Sequence, residues 1–317
     1  MPDDALDLPY ESWSEQDWKK LLLAIDQKRC TPFLGAGASR PTLPSGAELA
    51  EYIAAEIDYP FADRGNLARV AQFGAISEGS LHVKGLIKRK LDQCGRPDFD
   101  APDSTHAIVA SLDLPVYLTT NYDDFLSQAI ERRQHHSVQR RICRWNRAEL
   151  DEAGQDPVLV PPSSERPLVF HLHGHLSELD SLVVTEDDYL DFLVRLSENE
   201  ARAEQPDEML IPPRVREAFR NSTLLFLGYS LEDMNFRVLF RSFANYLHRA
   251  EGPRHVAVQL RKPAPRDATE RRELEASIRY LQESFKQQTV RPFWGSCADF
   301  ARELRRRRET PHVPVGA

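Results

Sequence analysis

The sequence predicts an α/β protein: a Rossmann-like, doubly wound, mostly parallel sheet with a smaller helical inserted module. Three observations carry this. Short apolar runs such as Thr223-Leu224-Leu225-Phe226-Leu227 read as buried parallel strands, because a strand covered on both faces shows no polar alternation. Stretches with helical periodicity alternate with these runs along the chain. The runs end in small or polar residues, and an open α/β sheet places ligand groups at such strand ends.

Each element follows from local chemistry. Ser14 with Asp17, then Trp18, Leu21, Leu22 and Ile25, predicts a capped amphipathic helix ending near Lys28, so 1–29 is read as an N-terminal helix. Residues 30–34 form the first strand, which runs into Gly35-Ala36-Gly37-Ala38-Ser39. Gly35 and Gly37 lack a Cβ, so backbone can turn sharply and approach a ligand closely. Small residues between a strand and a helix offer N–H groups and a positive helix end to a diphosphate, although a tight turn without a ligand fits the same residues. From Ser45, the residues Leu49, Tyr52, Ile53 and Ile57 predict a helix stopped at Asp58-Tyr59-Pro60. Helical patterns at 65–77 and 80–93, broken at Gly79 and then at Gly95, Pro97 and Pro102, make the block of about 60–100 a helical insert over the sheet.

Ser104 opens a short helix carrying His106, Ile108, Val109 and Leu112, and Pro115-Val116-Tyr117-Leu118 is the next strand. That strand ends in Thr119-Thr120-Asn121-Tyr122-Asp123-Asp124, after which Phe125, Leu126 and Ile130 continue as a helix. Residues 137–165 read as short strands with a loop at Pro161-Pro162, and the run from Leu168 to His175 as a strand ending in a His-rich turn. Residues 186–196 read as helix and 197–207 as a polar, mobile connection. After 223–227 the chain enters Gly228-Tyr229-Ser230, with a helix expected from Met234 to Leu247. A strand at Val256–Val258, a helix from Glu270 to Phe285, a short strand at Thr289-Val290 and a helix from Ser296 to about Arg307 complete the pattern. The main domain is placed at 30–300, and 301–317 is set apart as a basic C-terminal tail.

Composition narrows the class. The 317 residues are 41% hydrophobic and 28% charged, which suits a globular rather than a disordered chain. The net charge of −8 speaks against a generally nucleic-acid-coated protein. The arginines within 132–147 and the run Arg305 to Arg308 read as solvated or partner-facing surface. Cys30, Cys94, Cys143 and Cys297 are scattered without a Cys-x-x-Cys pair, against a Cys₄ zinc site or a disulfide framework. No apolar run is long enough for a membrane-spanning helix, and the acidic start lacks signal-peptide character, so cytoplasmic residence is expected.

Four strand ends therefore carry candidate site residues: Gly35/Ala36/Gly37/Ser39, Asn121/Asp123, His173, and Gly228/Ser230. Singly each has a plain reading. Asn121 fits a helix cap, with Asp123 adding first-turn charge, and Gly228 and Ser230 fit a turn and its cap. Alternation would set His171, His173 and His175 on one face as if for a metal, but Gly174 interrupts the strand and no Cys or Asp cluster accompanies them. The recurrence of all four at one edge of one sheet favours a shared ligand site.

These motifs, in this order over about residues 30–260, resemble the sirtuin (SIR2) domain, and more narrowly the bacterial SIR2-like NAD-consuming domains of antiphage defence systems. The resemblance implies a Rossmann-like NAD-binding domain. It places Gly35, Ala36, Gly37 and Ser39 around the NAD diphosphate, and Asn121 against the nicotinamide ribose, orienting a water. Asp123 would meet the carboxamide, His173 would be the general base, and Gly228 with Ser230 would contact the adenosine ribose and phosphates. Breaking the nicotinamide–ribose bond builds positive charge on the ribose, so positioning, water and a base near neutral pH suffice without covalent catalysis.

The sequence departs from the deacylating sirtuins in three places. Arg40-Pro41-Thr42-Leu43-Pro44-Ser45-Gly46 lacks their Phe-Arg pair, Thr120 stands where they have Gln, and the four zinc cysteines are missing. The resemblance thus implies hydrolysis of NAD to nicotinamide and ADP-ribose, with no metal, rather than protein deacylation. A deacylase or ADP-ribosyltransferase, and a non-catalytic NAD or ADP-ribose sensor, are the alternatives. Since unrestrained NAD destruction would poison its host, control by homo-oligomeric assembly or by an ATPase/helicase or Argonaute-like defence partner is expected. No membrane contact or direct nucleic-acid binding is expected.

Overall fold

Strands and glycine turns set the frame. The computed structural model describes residues 8–134, 137–146, 160–202, 210–230 and 255–309. Seven strands, β1 (Cys30–Leu34), β2 (Val116–Thr119), β3 (Gln139–Ile142), β4 (Leu168–His171), β5 (Thr223–Leu227), β6 (His255–Gln259) and β7 (Val290–Trp294), form one sheet in the order β3-β4-β2-β1-β5-β6-β7. Every pairing is parallel. With β3 set aside as an added edge strand, the remaining six follow the doubly wound order, whose direction reverses between β1 and β5. The register brings the ends together: Leu34 lies opposite both Thr119 and Leu227, and Thr119 opposite His171.

The sheet is buried on both faces, which is why its strands read as continuous apolar runs. Alternate residues divide between two cores. Phe33, Leu118, Phe170 and Phe226 pack on one face with Phe192, Val215, Phe219 and Phe285. These come from α7 (Glu186–Arg202), α8 (Pro213–Asn221) and α9 (Ala268–Gln287). Leu34, Tyr117, Val169 and Leu225 pack on the other with Leu21, Val109, Ile130 and Phe300. Here the covering helices are α1 (Glu15–Asp26), α5 (Thr105–Ala110), α6 (Phe125–Gln134) and α10 (Cys297–Glu309). Each such side chain contributes about 1.5–3 kcal/mol on burial.

A third core is mostly helical. Leu49 and Ile53 of α2 (Gly46–Glu56), Val70 of α3 (Leu67–Glu78) and Val83 and Ile87 of α4 (Ser80–Asp92) enclose Leu182 and Val184. The start of α2 matches the sequence reading because Ser45 and Glu48 form a reciprocal capping box. Ser14 and Asp17 do the same for α1. On α4, Lys84 is buried and ion-paired at 3.2 Å with Asp188 of α7, which joins this core to the sheet layer.

Three local differences from the sequence reading concern α7, α8 and β7. Helix α7 continues through 197–202, because Ser-Glu-Asn-Glu-Ala-Arg contains good helix formers although no apolar period marks it. Helix α8 was hidden behind Pro212-Pro213 and its many charges; Pro213 sits in the first turn, where a missing N–H costs nothing. Strand β3, Gln-Arg-Arg-Ile, by contrast agrees with the short strands read within 137–165 and is a charged edge strand. Strand β7 extends to Trp294 rather than stopping at Val290. The helix expected at Met234–Leu247 and the connection at 203–207 lie outside the described residues. Among the described residues no helix is long and apolar enough to cross a membrane. Of the basic run, Arg307 lies on α10 and reaches Glu15 and Glu303.

Candidate functional site

The two glycine turns meet backbone to backbone at the point where the strand order reverses. Gly35 N–H donates to Leu227 O at 2.8 Å and Gly37 N–H to Gly228 O at 2.9 Å. Gly228 has φ +80°, and a Cβ there would lie 2.1 Å from Ala38 N. A Cβ on Gly37 would approach Gly228 Cα to 2.9 Å. The glycines are thus required first by each other. The N–H groups of Gly35, Gly37 and Ala38 are engaged by carbonyl oxygens of the fold, since Ala38 N–H also donates to Gly35 O at 2.9 Å. Ala36 begins the 3₁₀ turn Ala36–Ser39.

That turn delivers a buried Ser39 to the polar end of β2. Ser39 Oγ accepts from Asn121 Nδ2 at 3.2 Å, donates to Asp123 Oδ2 at 3.4 Å, and lies 3.5 Å from His106 Nε2. A hydroxyl has one proton, so with that proton on Asp123 the imidazole N–H of His106 is the donor to Ser39. Asn121 is buried, and its amide orientation on Ser39 leaves Oδ1 as its acceptor in the cleft. Asn121 N–H is fixed by Thr119 Oγ1 at 2.9 Å. Asp123 Oδ1 accepts from Phe125 N–H at 2.9 Å, so it also caps the first turn of α6. Burial raises the Asp123 carboxyl to about 6. Burial likewise lowers His106 to about 4, which keeps it neutral.

Strand β4 ends at His171, and the turn through Leu172, His173 and Gly174 sets where the three histidines point. Gly174 has φ +84°, and a Cβ there would meet Ser181 O at 2.2 Å. His173 packs edge-on against Tyr189 and Phe192, each with centroids at 5.5 Å. Burial lowers it to about 3, and its Nε2 is buried without a hydrogen-bond partner. His171 and His175 instead face each other at 4.8 Å. Among the described residues no group of three or more His, Cys, Asp or Glu is placed to hold a metal ion.

A cleft of about 1900 Å³ covers these strand ends. Ordinary small-molecule pockets are roughly 300–1,000 Å³, so this one has room for an extended ligand. All nine sequence-derived candidates except Gly35 line it: Ala36, Gly37, Ser39, Asn121, Asp123, His173, Gly228 and Ser230. Gly35 lies beneath, its place for a Cβ taken by Tyr229 at 2.8 Å. Ser230 is exposed and marks the far side of the switch point.

Two cleft residues escaped the sequence reading. His106 sits on the apolar stripe of a short helix and looks like core; its only signal was a titratable side chain in that stripe. Tyr229 OH donates to Leu34 O at 2.9 Å and lies 2.8 Å from Thr120 Oγ1, tying three strand ends together.

The fold defines a Rossmann-like α/β protein with a cleft at its topological switch point. The chain belongs to the SIR2-like domain family, whose model matches residues 115–281, just over half of the chain. That range includes Asn121, Asp123, His173, Gly228 and Ser230 but not the first glycine turn. The NAD(+) hydrolase ThsA of Enterococcus faecium is 24% identical over 242 residues, 76% of this chain and 45% of that protein. The NAD(+) hydrolase ThsA of Acinetobacter baumannii (strain 532279) is 23% identical, over 68% of this chain and 39% of that protein. The chain thus spans less than half the length of these curated relatives. A solved structure from work on the mechanism and regulation of Sir2 enzymes aligns over 94% of this chain and all of that one, with 13% identity and a TM-score of 0.42.

Proposed function

We propose that this chain is an NAD glycohydrolase, releasing nicotinamide and ADP-ribose, and that it depletes NAD in antiphage defence. The observation that carries the reading is the cluster of Ser39, Asn121, Asp123 and His106 at the floor of a cleft large enough for a dinucleotide. Relatives named NAD(+) hydrolase support the substrate.

In this reading Ala36, Gly37 and Ser39 lie along the diphosphate, and Gly228 and Ser230 face the adenosine ribose. Asp123 accepts from the carboxamide N–H₂. Asn121, anchored on Ser39, presents Oδ1 to the water that adds at the ribose carbon as the nicotinamide bond breaks. The positive charge developing on that carbon needs no covalent nucleophile; fixed dipoles and an oriented water lower the barrier. His173, held neutral, is an acceptor for a ribose hydroxyl or water proton rather than a strong base, a narrower role than general base. The ADP-ribose product carries the water's oxygen, and nicotinamide leaves as the neutral base.

Assembly of copies of the chain, or binding of a defence partner, would govern access to this cleft. The test is nicotinamide release from NAD by the purified protein, alone and in its assembled state. Asn121→Ala is expected to lower turnover about 10²–10³-fold and His173→Ala about 10²-fold, with the fold intact by circular dichroism. Absence of release in every state, or full release from Asn121→Ala, would refute the proposal. Transfer to an acetyl-lysine peptide in place of water would instead identify a deacylase.

A further inference from the structure

His171 and His175 take no part in the chemistry above, yet their partners fix their tautomers. His171 Nδ1 lies 3.3 Å from the Asn121 carbonyl oxygen. A carbonyl only accepts, so Nδ1 carries the proton and Nε2 a lone pair. Ser177 N–H donates to His175 Nδ1 at 3.1 Å, so there the lone pair is on Nδ1 and the proton on Nε2.

Both Nε2 atoms are buried and without a hydrogen-bond partner, and the rings meet edge to face with centroids 4.8 Å apart and planes at 76°. One ring therefore holds an unmet donor and its neighbour an unmet acceptor. Burial costs such groups enough that a small ring rotation or one bridging water, pairing Nε2–H of His175 with Nε2 of His171, is the favoured arrangement. Burial first, and then the neighbouring His175, lower His171 to about 3, so it stays neutral across the physiological range.

The chain of contacts ends on Asn121. Its carbonyl is held by His171 from β4, and its N–H by Thr119 Oγ1, which itself donates to Leu34 O at 3.1 Å. Both polar ends of Asn121's own backbone are thus clamped between β1 and β4, while its side chain reaches across to Ser39. We propose that His171, oriented by His175, is a positioning residue that fixes the backbone of Asn121 and thereby aims its amide into the cleft. This rests on the role given to Asn121 in NAD cleavage.

Two measurements on the full chain test it. In ¹⁵N-histidine NMR, His171 is expected as the Nδ1–H tautomer and His175 as the Nε2–H tautomer; an Nε2–H tautomer at His171 would overturn the proposal. In nicotinamide-release kinetics, His171→Leu is expected to lower kcat roughly 10- to 50-fold with KM within about threefold. His171→Asn, which retains an N–H near the Nδ1 position, should recover kcat to within about threefold of the parent. Equal losses in the two variants, or unchanged kcat in His171→Leu, would also overturn it. If the unmutated protein releases no nicotinamide, the NAD reading fails by itself. The side-chain amide resonance of Asn121 then decides positioning: it should shift in His171→Leu and return in His171→Asn, and an unshifted resonance in His171→Leu would refute it.

Discussion

Two carboxylates removed from bulk water, Asp188 and Asp123, have opposite circumstances. Asp188 accepts from Val184 N–H and Thr185 N–H, both at 3.0 Å, and from Lys84 Nζ at 3.2 Å. Asp123 accepts from Phe125 N–H at 2.9 Å and has a long contact of 3.4 Å from Ser39, and burial raises its pKa to about 6. The first is supplied with donors by the fold and serves as framework. The second borders the cleft, and burial disfavours its charged form.

The contrast breaks most sharply at Lys84. Lys84→Met leaves Asp188 as a buried charge without its cation, and is expected to lower unfolding stability by about 3–5 kcal/mol in urea titrations. Lys84→Met with Asp188→Asn should recover more than half of that, because the asparagine oxygen still accepts the two backbone donors.

Acid sharpens the comparison from the other side. His106, His171 and His173 are neutral when folded, their pKa values lowered to about 4, 3 and 3 from 6.5 by burial. The stability they contribute is present above pH 6.5 and is lost as pH falls toward their folded values. Asp123, raised from 3.8 to about 6, works oppositely: its contribution is present below pH 3.8 and lost as pH rises through 6. Between pH 4 and 6 these four groups alone make the unfolded chain bind about two more protons than the folded one. These groups should lower the unfolding free energy by roughly 2.5 kcal/mol per pH unit on acidification, measured in a pH series of denaturant midpoints.

Asp123→Asn should stabilise the protein by about 1–3 kcal/mol at pH 7.5 by removing a charge that burial disfavours. The same change should slow nicotinamide release at least about tenfold. A variant that loses both stability and activity would place Asp123 with the framework. The smallest effect belongs to Lys88, one turn from Lys84 on α4. Its ion pair with Asp92 is shorter, at 2.7 Å, but the side chain is 43% exposed against 5% for Lys84. Lys88→Ala should change stability by less than about 0.5 kcal/mol.

Legibility in the sequence followed burial. Strands β1, β2, β4 and β5 were visible because both of their faces are covered, and their polar ends named Ser39, Asn121, Asp123, His173 and Gly228. Helix α8 was not, since Pro212-Pro213 and its charges obscure the spacing of Val215, Ala218 and Phe219. His106 was hidden because a site residue on an apolar stripe has the pattern of a core residue. The divergence of His173 from His171 begins where β4 ends, in the turn at Leu172–His173, which no local pattern marks. Tyr229 was read as part of a turn, although its hydroxyl bridges two strands distant in sequence.

The contact of Gly37 with Gly228 has one more consequence. With no side chain between the β1 and β5 turns and a hydrogen bond pinning them, the cleft floor is a gauge of fixed width. The two half-sheets cannot part there to admit a larger guest. Any adjustment to a guest would therefore fall to the rim of the cleft rather than to this floor.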